Sequence, residues 1–195
     1  MLHLTEYIED TQLELIYVES FLSLREADQW LEECRETIPW QQLQIKLMGK
    51  EIPQPRLTAW YSDPGVHYTY SGLTLHPTEW HPLMQELRER VEEFALMTFN
   101  SALLNYYRDG QDSMGFHADN EPELGKQPVI ASFSLGGPRR FVFKHRQLKK
   151  KHDLSLAHGS LLLMKGETQH HWLHGIPKTK KHVNERMNIT FRKIL

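Results

Sequence analysis

Apolar residues recur at helical spacing between residues 23 and 39, where Ala27, Trp30, Leu31, Cys34 and Ile38 share one face. Ser23 and Glu26 form a capping-box pair ahead of them, and Pro39 ends the run, so a helix is predicted here. A second helix is predicted from Pro82, with Leu83, Leu87, Val91, Phe94 and Ala95 inside and Glu86, Arg90 and Glu93 outside. From about residue 99 the period shortens to two, between Gly, Pro, Asp and Asn punctuation. Strands are predicted over 102–108, 129–135, 140–144, 160–164, 171–176 and 186–192. Strands this closely spaced, with no helices between them, favour a sandwich or jelly roll over a parallel sheet. No repeat or linker divides the chain. The expectation is one mainly β domain over 1–195 with N-terminal helices, its helical N-terminal half supporting a β core.

The size fits that expectation. A chain of 195 residues with 39% hydrophobic and 10% aromatic residues can bury one sizeable core. The longest apolar runs, such as Leu161 to Met164, fall far short of the ~20 residues that span a bilayer. The acidic start does not resemble a signal peptide, so a soluble, cytoplasmic protein (nuclear in a eukaryote) without membrane association is expected. The single cysteine, Cys34, falls on the apolar stripe of the first helix; it excludes an internal disulfide and any Cys-based zinc site. Any metal must therefore be held by His and carboxylate, and twelve histidines make the search worthwhile.

Charge changes the picture by position. The net charge is −2, but residues 1–40 carry ten acids against two bases and the remainder is net positive. The run from Arg139 to Lys151 holds Arg139, Arg140, Lys144, Arg146, Lys149, Lys150 and Lys151 without one acid. It is either a solvated basic hairpin or a track for a polyanion.

Three segments carry candidate chemistry. In His117-Ala118-Asp119 an extended backbone places imidazole and carboxylate on one side, where both can face one metal. His174 would complete a facial triad of two His and one carboxylate, the ligand set of non-haem Fe(II) oxygenases. His158, His170, His171 and His182 are rival third ligands that spacing alone does not exclude. In the strand from Arg186 to Arg192, Met187, Ile189 and Phe191 alternate with Arg186, Asn188, Thr190 and Arg192. Its cationic face suits a wet edge strand or a pocket for a dicarboxylate. The two Arg Cα atoms would stand roughly 20 Å apart, a gap that two long side chains and a short ligand can close. Asn105 and Tyr107 share a face of the first core strand, as an amide and a phenol.

Together these segments resemble the AlkB family of Fe(II)/2-oxoglutarate-dependent dioxygenases, from about Leu47 to the C-terminus. Pro55-Arg56-Leu57-Thr58-Ala59-Trp60-Tyr61 and Tyr68-Thr69-Tyr70-Ser71 are similar to its substrate-binding lid, and the Arg186–Arg192 segment to its closing motif. The resemblance implies a double-stranded β-helix (jelly-roll) core over about 99–195, behind a nucleotide-recognition lid within about 1–98. It implies Fe(II) on His117, Asp119 and His174, and 2-oxoglutarate on Arg186 and Arg192 with Asn105, Tyr107 and Asn188. The reaction implied is hydroxylation of an N-alkyl group on a DNA or RNA base, releasing formaldehyde and succinate. That is direct-reversal repair of lesions of the 1-methyladenine and 3-methylcytosine type by a monomeric enzyme.

The substrate must leave its base stack to reach such a metal. By the resemblance Tyr61 stacks on the flipped base opposite His117, and Arg56 and Tyr68 line the pocket or touch the strand. Glu121 meets the base's exocyclic amine, and Met48 is a wedge for duplex members. Single- and double-stranded DNA both stay open. Two other classes remain: an oxygenase of a protein or small molecule, which would not need Tyr61, Glu121 or the basic run, and a non-catalytic nucleic-acid-binding module, which would leave the triad unexplained.

Overall fold

A computed structural model describes residues 3–47, 50–66, 68–70, 73–75 and 78–195. The chain begins with a hairpin of β1 (His3–Asp10) and β2 (Leu13–Ser20). Next comes α1 (Leu24–Thr37), whose capping box forms as predicted: Ser23 Oγ accepts from the Glu26 N–H at 3.3 Å and the Glu26 carboxylate accepts from the Ser23 N–H at 3.1 Å. β3 (Gln44–Leu47) and β4 (Lys50–Pro53) form a two-stranded sheet, followed by β5 (Leu57–Ser62). β6 (Tyr68–Tyr70) and β7 (Leu73–Leu75) form another, and α2 (Pro82–Ala95) starts at the predicted proline.

The C-terminal half runs through β8 (Ser101–Tyr107), β9 (Met114–His117), β10 (Ile130–Gly136), β11 (Arg139–His145), β12 (Lys151–Leu156) and β13 (Ser160–Lys165). It ends with a one-turn helix α3 (Thr168–His171), β14 (Trp172–Ile176) and β15 (Arg186–Arg192). The six predicted strands all form, with ends within one residue of expectation. Two antiparallel sheets face each other: a major one ordered β1-β2-β13-β10-β15-β8-β5 and a minor one ordered β12-β11-β14-β9. This is the expected jelly roll.

The N-terminal half is less helical than the sequence suggests. β1–β2 and β5 close the two edges of the major sheet. The β2 pattern was legible, since Leu13, Leu15 and Tyr17 are buried on one face. The acidic, exposed β1 masks it. β12 was also unforeseen, because it borrows the end of the basic run and alternates exposed Lys151, Asp153 and Ser155 with more buried neighbours.

The major sheet divides the core in two. Its outer face packs on α1 and α2 through Ala102, Leu104, Phe133, Met187, Ile189 and Phe191. Its inner face meets the minor sheet through Leu103, Tyr107, Leu162 and Met164 against Phe141, Phe143 and Trp172. Cys34 has no exposed surface, and burial pushes its thiol up to about 12, which removes it from redox chemistry. Among the described residues no helix is long and apolar enough to cross a membrane.

Phe133 is fully buried and meets Phe21 and Trp30 edge-on at 6.1 and 6.4 Å. Phe133→Ala should cost about 3–5 kcal/mol in urea unfolding. Ser23→Ala, which removes only the cap, should cost about 1 kcal/mol.

Candidate active site

The polar side chains of β15 point between the two sheets. β15 lies between β10 and β8, so its cationic face is buried and the wet-edge reading is excluded. Register then sets polar residues in a row across the major sheet: Ser160 opposite Ser134, Ser134 opposite Asn188, Asn188 opposite Asn105, and Asn105 opposite Thr58. All five are buried. Polar groups lined up in a β core need partners there. Asn188 donates to Ser132 Oγ at 2.8 Å and to the Phe133 carbonyl at 2.9 Å, and accepts from Thr190 Oγ1 at 2.9 Å. Asn105 Oδ1 accepts from Arg56 Nε at 2.7 Å.

Arg186 is 1% exposed, with Nη2 donating to Ser134 Oγ at 2.8 Å and the guanidinium 5.4 Å from the Tyr107 ring centroid. Its Nε and Nη1 have no hydrogen-bond partner among the described residues. Burial pulls its pKa down to about 10, so it stays charged near neutral pH. A buried cation with two unanswered N–H groups is suited to a carboxylate.

At the opposite end of β15 from Arg186, beside Arg192, lies the metal-type cluster. β9 pairs with β14 so that His117 stands opposite His174, with ring centroids 4.4 Å apart. Gly175 permits that approach: a Cβ there would lie 2.9 Å from the Met114 carbonyl oxygen. Asp119 follows two residues after β9 and sets Oδ2 3.7 Å from His174 Nε2. Ligand atoms of His117, Asp119 and His174 all fall within 4.8 Å of one another.

Electrostatics favours the ligating forms of Asp119 and His174. Burial would raise the Asp119 carboxyl, but Arg192, His117 and His174 hold it down at about 2. Arg192 binds Asp119 Oδ1 through Nε at 3.2 Å and Nη2 at 2.8 Å. Burial pushes His174 down to about 3, keeping its imidazole neutral. His117 Nδ1 lies 2.9 Å from the Gly115 carbonyl, which can only accept, so Nδ1 is the donor and Nε2 is the nitrogen left to face a metal. Asp119 Oδ2 and His174 Nδ1 are buried without a hydrogen-bond partner among the described residues. Two imidazoles and one carboxylate fit a divalent first-row metal.

The rival histidines are engaged elsewhere. His158 Nδ1 accepts the Gly136 N–H at 2.7 Å, His170 bonds the Lys126 carbonyl, His171 pairs with Glu167 at 3.4 Å, and His182 is exposed. Asn105, Tyr107, Asn188 and Arg192 line the same pocket as the triad. Tyr61 does not reach it, which corrects the stacking role. In β5, Thr58 and Trp60 take the inner face, so Tyr61 turns to the helices, 3% exposed and stacked on Trp80 at 6.4 Å. Arg56 is 5% exposed and reaches the pocket through Asn105. Glu121 precedes a short 3-10 turn (Pro122–Leu124), and its Oε2 is buried with no hydrogen-bond partner among the described residues. Tyr68 begins β6 opposite Leu75, and Met48 lies outside the described residues.

The basic run is the β11–β12 hairpin, but acids reach it from neighbouring strands. Arg140 and Lys151 both bond Asp153, at 2.6 and 3.1 Å, and Lys150 bonds Asp10 at 2.5 Å. Arg139 is buried and donates to the carbonyls of Asp109, Asp112 and Pro177. Sequence reasoning missed Lys178 and Lys181, which line a cavity with Arg139 and Arg140. It also missed Ser132 and Ser134, although their period-two spacing inside an apolar strand was a readable signal.

Comparison with known proteins bears on this geometry directly. Residues 14–192 match the model of the 2OG-Fe(II) oxygenase superfamily. The chain belongs to that superfamily, in its AlkB family. The chain is 42% identical over 181 residues to DNA oxidative demethylase ALKBH2 of Bos taurus, covering 87% of this chain and 65% of that protein. It is 41% identical over 184 residues to alpha-ketoglutarate-dependent dioxygenase alkB homolog 3 of Mus musculus, covering 89% and 64%. The chain therefore spans slightly under two thirds of the length of these relatives. A solved structure of OsALKBH1 superposes with a TM-score of 0.67 at 15% identity, over 97% of this chain and 99% of that one, which shows the shared fold. Family membership implies Fe(II) and 2-oxoglutarate as the cofactor and cosubstrate of this oxygenase.

Gly175→Ala should force β9 off β14 and move His117. Mn(II) affinity, read by EPR titration, should fall at least about tenfold, as it does when the support of a metal ligand is lost.

Proposed function

We propose that the chain removes alkyl groups oxidatively from base nitrogens in nucleic acid, DNA first and RNA as a further substrate, as a monomer in the cytoplasm or nucleus. The observation that carries this is the joint burial, between the two sheets, of the His117–Asp119–His174 cluster and the partly unanswered guanidinium of Arg186. The AlkB relatives named as DNA demethylases support the substrate class. When bound, Fe(II) and 2-oxoglutarate would supply the activation of O2, which is the oxidant, while 2-oxoglutarate is the electron donor and leaves as succinate and carbon dioxide.

The protein's own residues do the rest. His117, Asp119 and His174 hold the metal, and Arg192 keeps Asp119 ionised and oriented. Arg186, Arg192, Asn105 and Tyr107 receive the cosubstrate, while Asn188 braces Asn105's neighbourhood through Ser132 rather than offering a free amide. Glu121 supplies an unpartnered carboxylate oxygen for a base amine, and Arg56 orients Asn105. Tyr68 and Met48 complete the lid, the latter for duplex substrates.

Incubation of methylated oligonucleotides, single and double stranded, with Fe(II) and 2-oxoglutarate should give the unmodified base by mass spectrometry. Asp119→Ala should abolish succinate and formaldehyde release, and Arg186→Ala should weaken 2-oxoglutarate binding by about 2–5 kcal/mol. Succinate formation with no change in any oligonucleotide would instead support a protein or small-molecule oxygenase.

The exposed hairpin of β11 and β12 is read as a phosphate track. Its ion pairs to Asp10 and Asp153 are exposed and weak enough for phosphates to replace. If three cations engage, log affinity should fall with log salt at a slope of about −2 for single strands and about −2.7 for duplex. Replacing Lys149, Lys150 and Lys151 by Ala should flatten that slope for all sequences alike and leave turnover of a free methylated nucleoside unchanged.

A further inference from the structure

Gln169 has no exposed surface, yet it carries an amide into an apolar interior. It sits on α3, the single helical turn that runs directly into β14 and hence into His174. Its Oε1 accepts the backbone N–H of Asp119 at 3.0 Å, across fifty residues of sequence. Only the oxygen can accept, so chemistry fixes the orientation of the amide. The amide nitrogen then meets Met164 Sδ at 3.5 Å, a weak acceptor. A side chain needed only to fill this space would be served by leucine, because burying an amide against a thioether costs free energy.

The bond answers a specific need. β9 ends at His117, and its ladder to β14 goes no further than the pair His117–His174 on that side. Asp119 lies beyond it and is 1% exposed, so its N–H has neither a strand partner nor water. Gln169 supplies the acceptor. The helix is itself anchored: Thr168 Oγ1 accepts the Glu14 N–H at 2.9 Å and donates to the Glu14 carbonyl at 3.3 Å, and His170 holds the Lys126 carbonyl. One rigid turn thus grips the major sheet, the segment carrying Asp119 and the strand carrying His174.

We propose that Gln169 is a positioning residue of the metal site, fixing the Asp119 backbone against His174 so that carboxylate and imidazole are preset before a cation arrives. This rests on the reading of His117, Asp119 and His174 as metal ligands. Gln169 touches neither metal nor substrate; it acts through Asp119.

The test uses Gln169→Leu and His174→Gln in the full chain, titrated with Mn(II) by EPR and with Co(II) by visible absorption, below the Tm of each variant. Gln169→Leu should raise the Mn(II) Kd by about 10–100-fold and change the Co(II) spectrum, which a purely structural loss would leave alone in the folded fraction. If His174→Gln weakens binding while Gln169→Leu keeps the wild-type Kd and spectrum, the positioning role is overturned and the ligand reading survives. If His174→Gln itself binds Mn(II) like wild type, the ligand reading fails and takes this inference with it. Should Gln169→Leu not fold, amide exchange in the metal-free wild-type protein decides. The Asp119 N–H should be protected like those of β14, and exchange as fast as at 146–149 would refute the bond.

Discussion

Arg192 and Asp119 face each other with side chains 3% and 1% exposed, and the architecture around the site follows from keeping that pair together. Two charges taken out of water are stable only as partners, and removing either strands the other at a cost of about 3–5 kcal/mol. One partner ends the β15 strand of the major sheet. The other belongs to the loop after β9 in the minor sheet. The pair therefore ties the two layers at the point where the metal-type cluster forms. Arg192 holds Oδ1, and Oδ2 turns toward His174.

Around that pair the interior is cationic. Arg56, Arg139, Arg186 and Arg192 are buried, against Asp112 and Asp119 among the buried acids. Each guanidinium is handled differently. Arg139 sits in a cage of three backbone carbonyls, at 2.8 to 3.0 Å; Arg56 bonds Asn105; Arg186 has Ser134. Neutral partners solvate a cation without cancelling it, so the interior holds a standing positive potential. A dianionic cosubstrate and an ionised Asp119 both belong there.

Local signals made much of this legible. The capping box at Ser23, the proline at the start of α2 and the alternation in β15 each depend on residues adjacent in sequence, and all three elements formed where the pattern put them. His117 and Asp119 could be paired by period-two spacing. His174 could not be separated from its rivals until the register of β14 against β9 was known, because choosing among histidines is a question of long-range pairing. Tyr61 shows the same limit from the other side. Its strand β5 was not among the predicted ones, and the face it takes is fixed by pairing to β8, where Ala102 and not Leu103 stands opposite. Gln169 gave no signal, since one buried amide in a four-residue helix has no periodicity to betray it.

The order of strands also bears on how the chain comes to be folded as it is made. β15, the last of the described strands in sequence, lies inside the seven-stranded sheet between β10 and β8. Until residues 186–192 leave the ribosome, β10 and β8 have no common neighbour, and their inner polar row faces a gap. At about 5–20 residues per second, synthesis holds the nascent chain with two open sheet edges for seconds. Such edges invite pairing with other chains, so exposure to aggregation lasts until β15 is delivered.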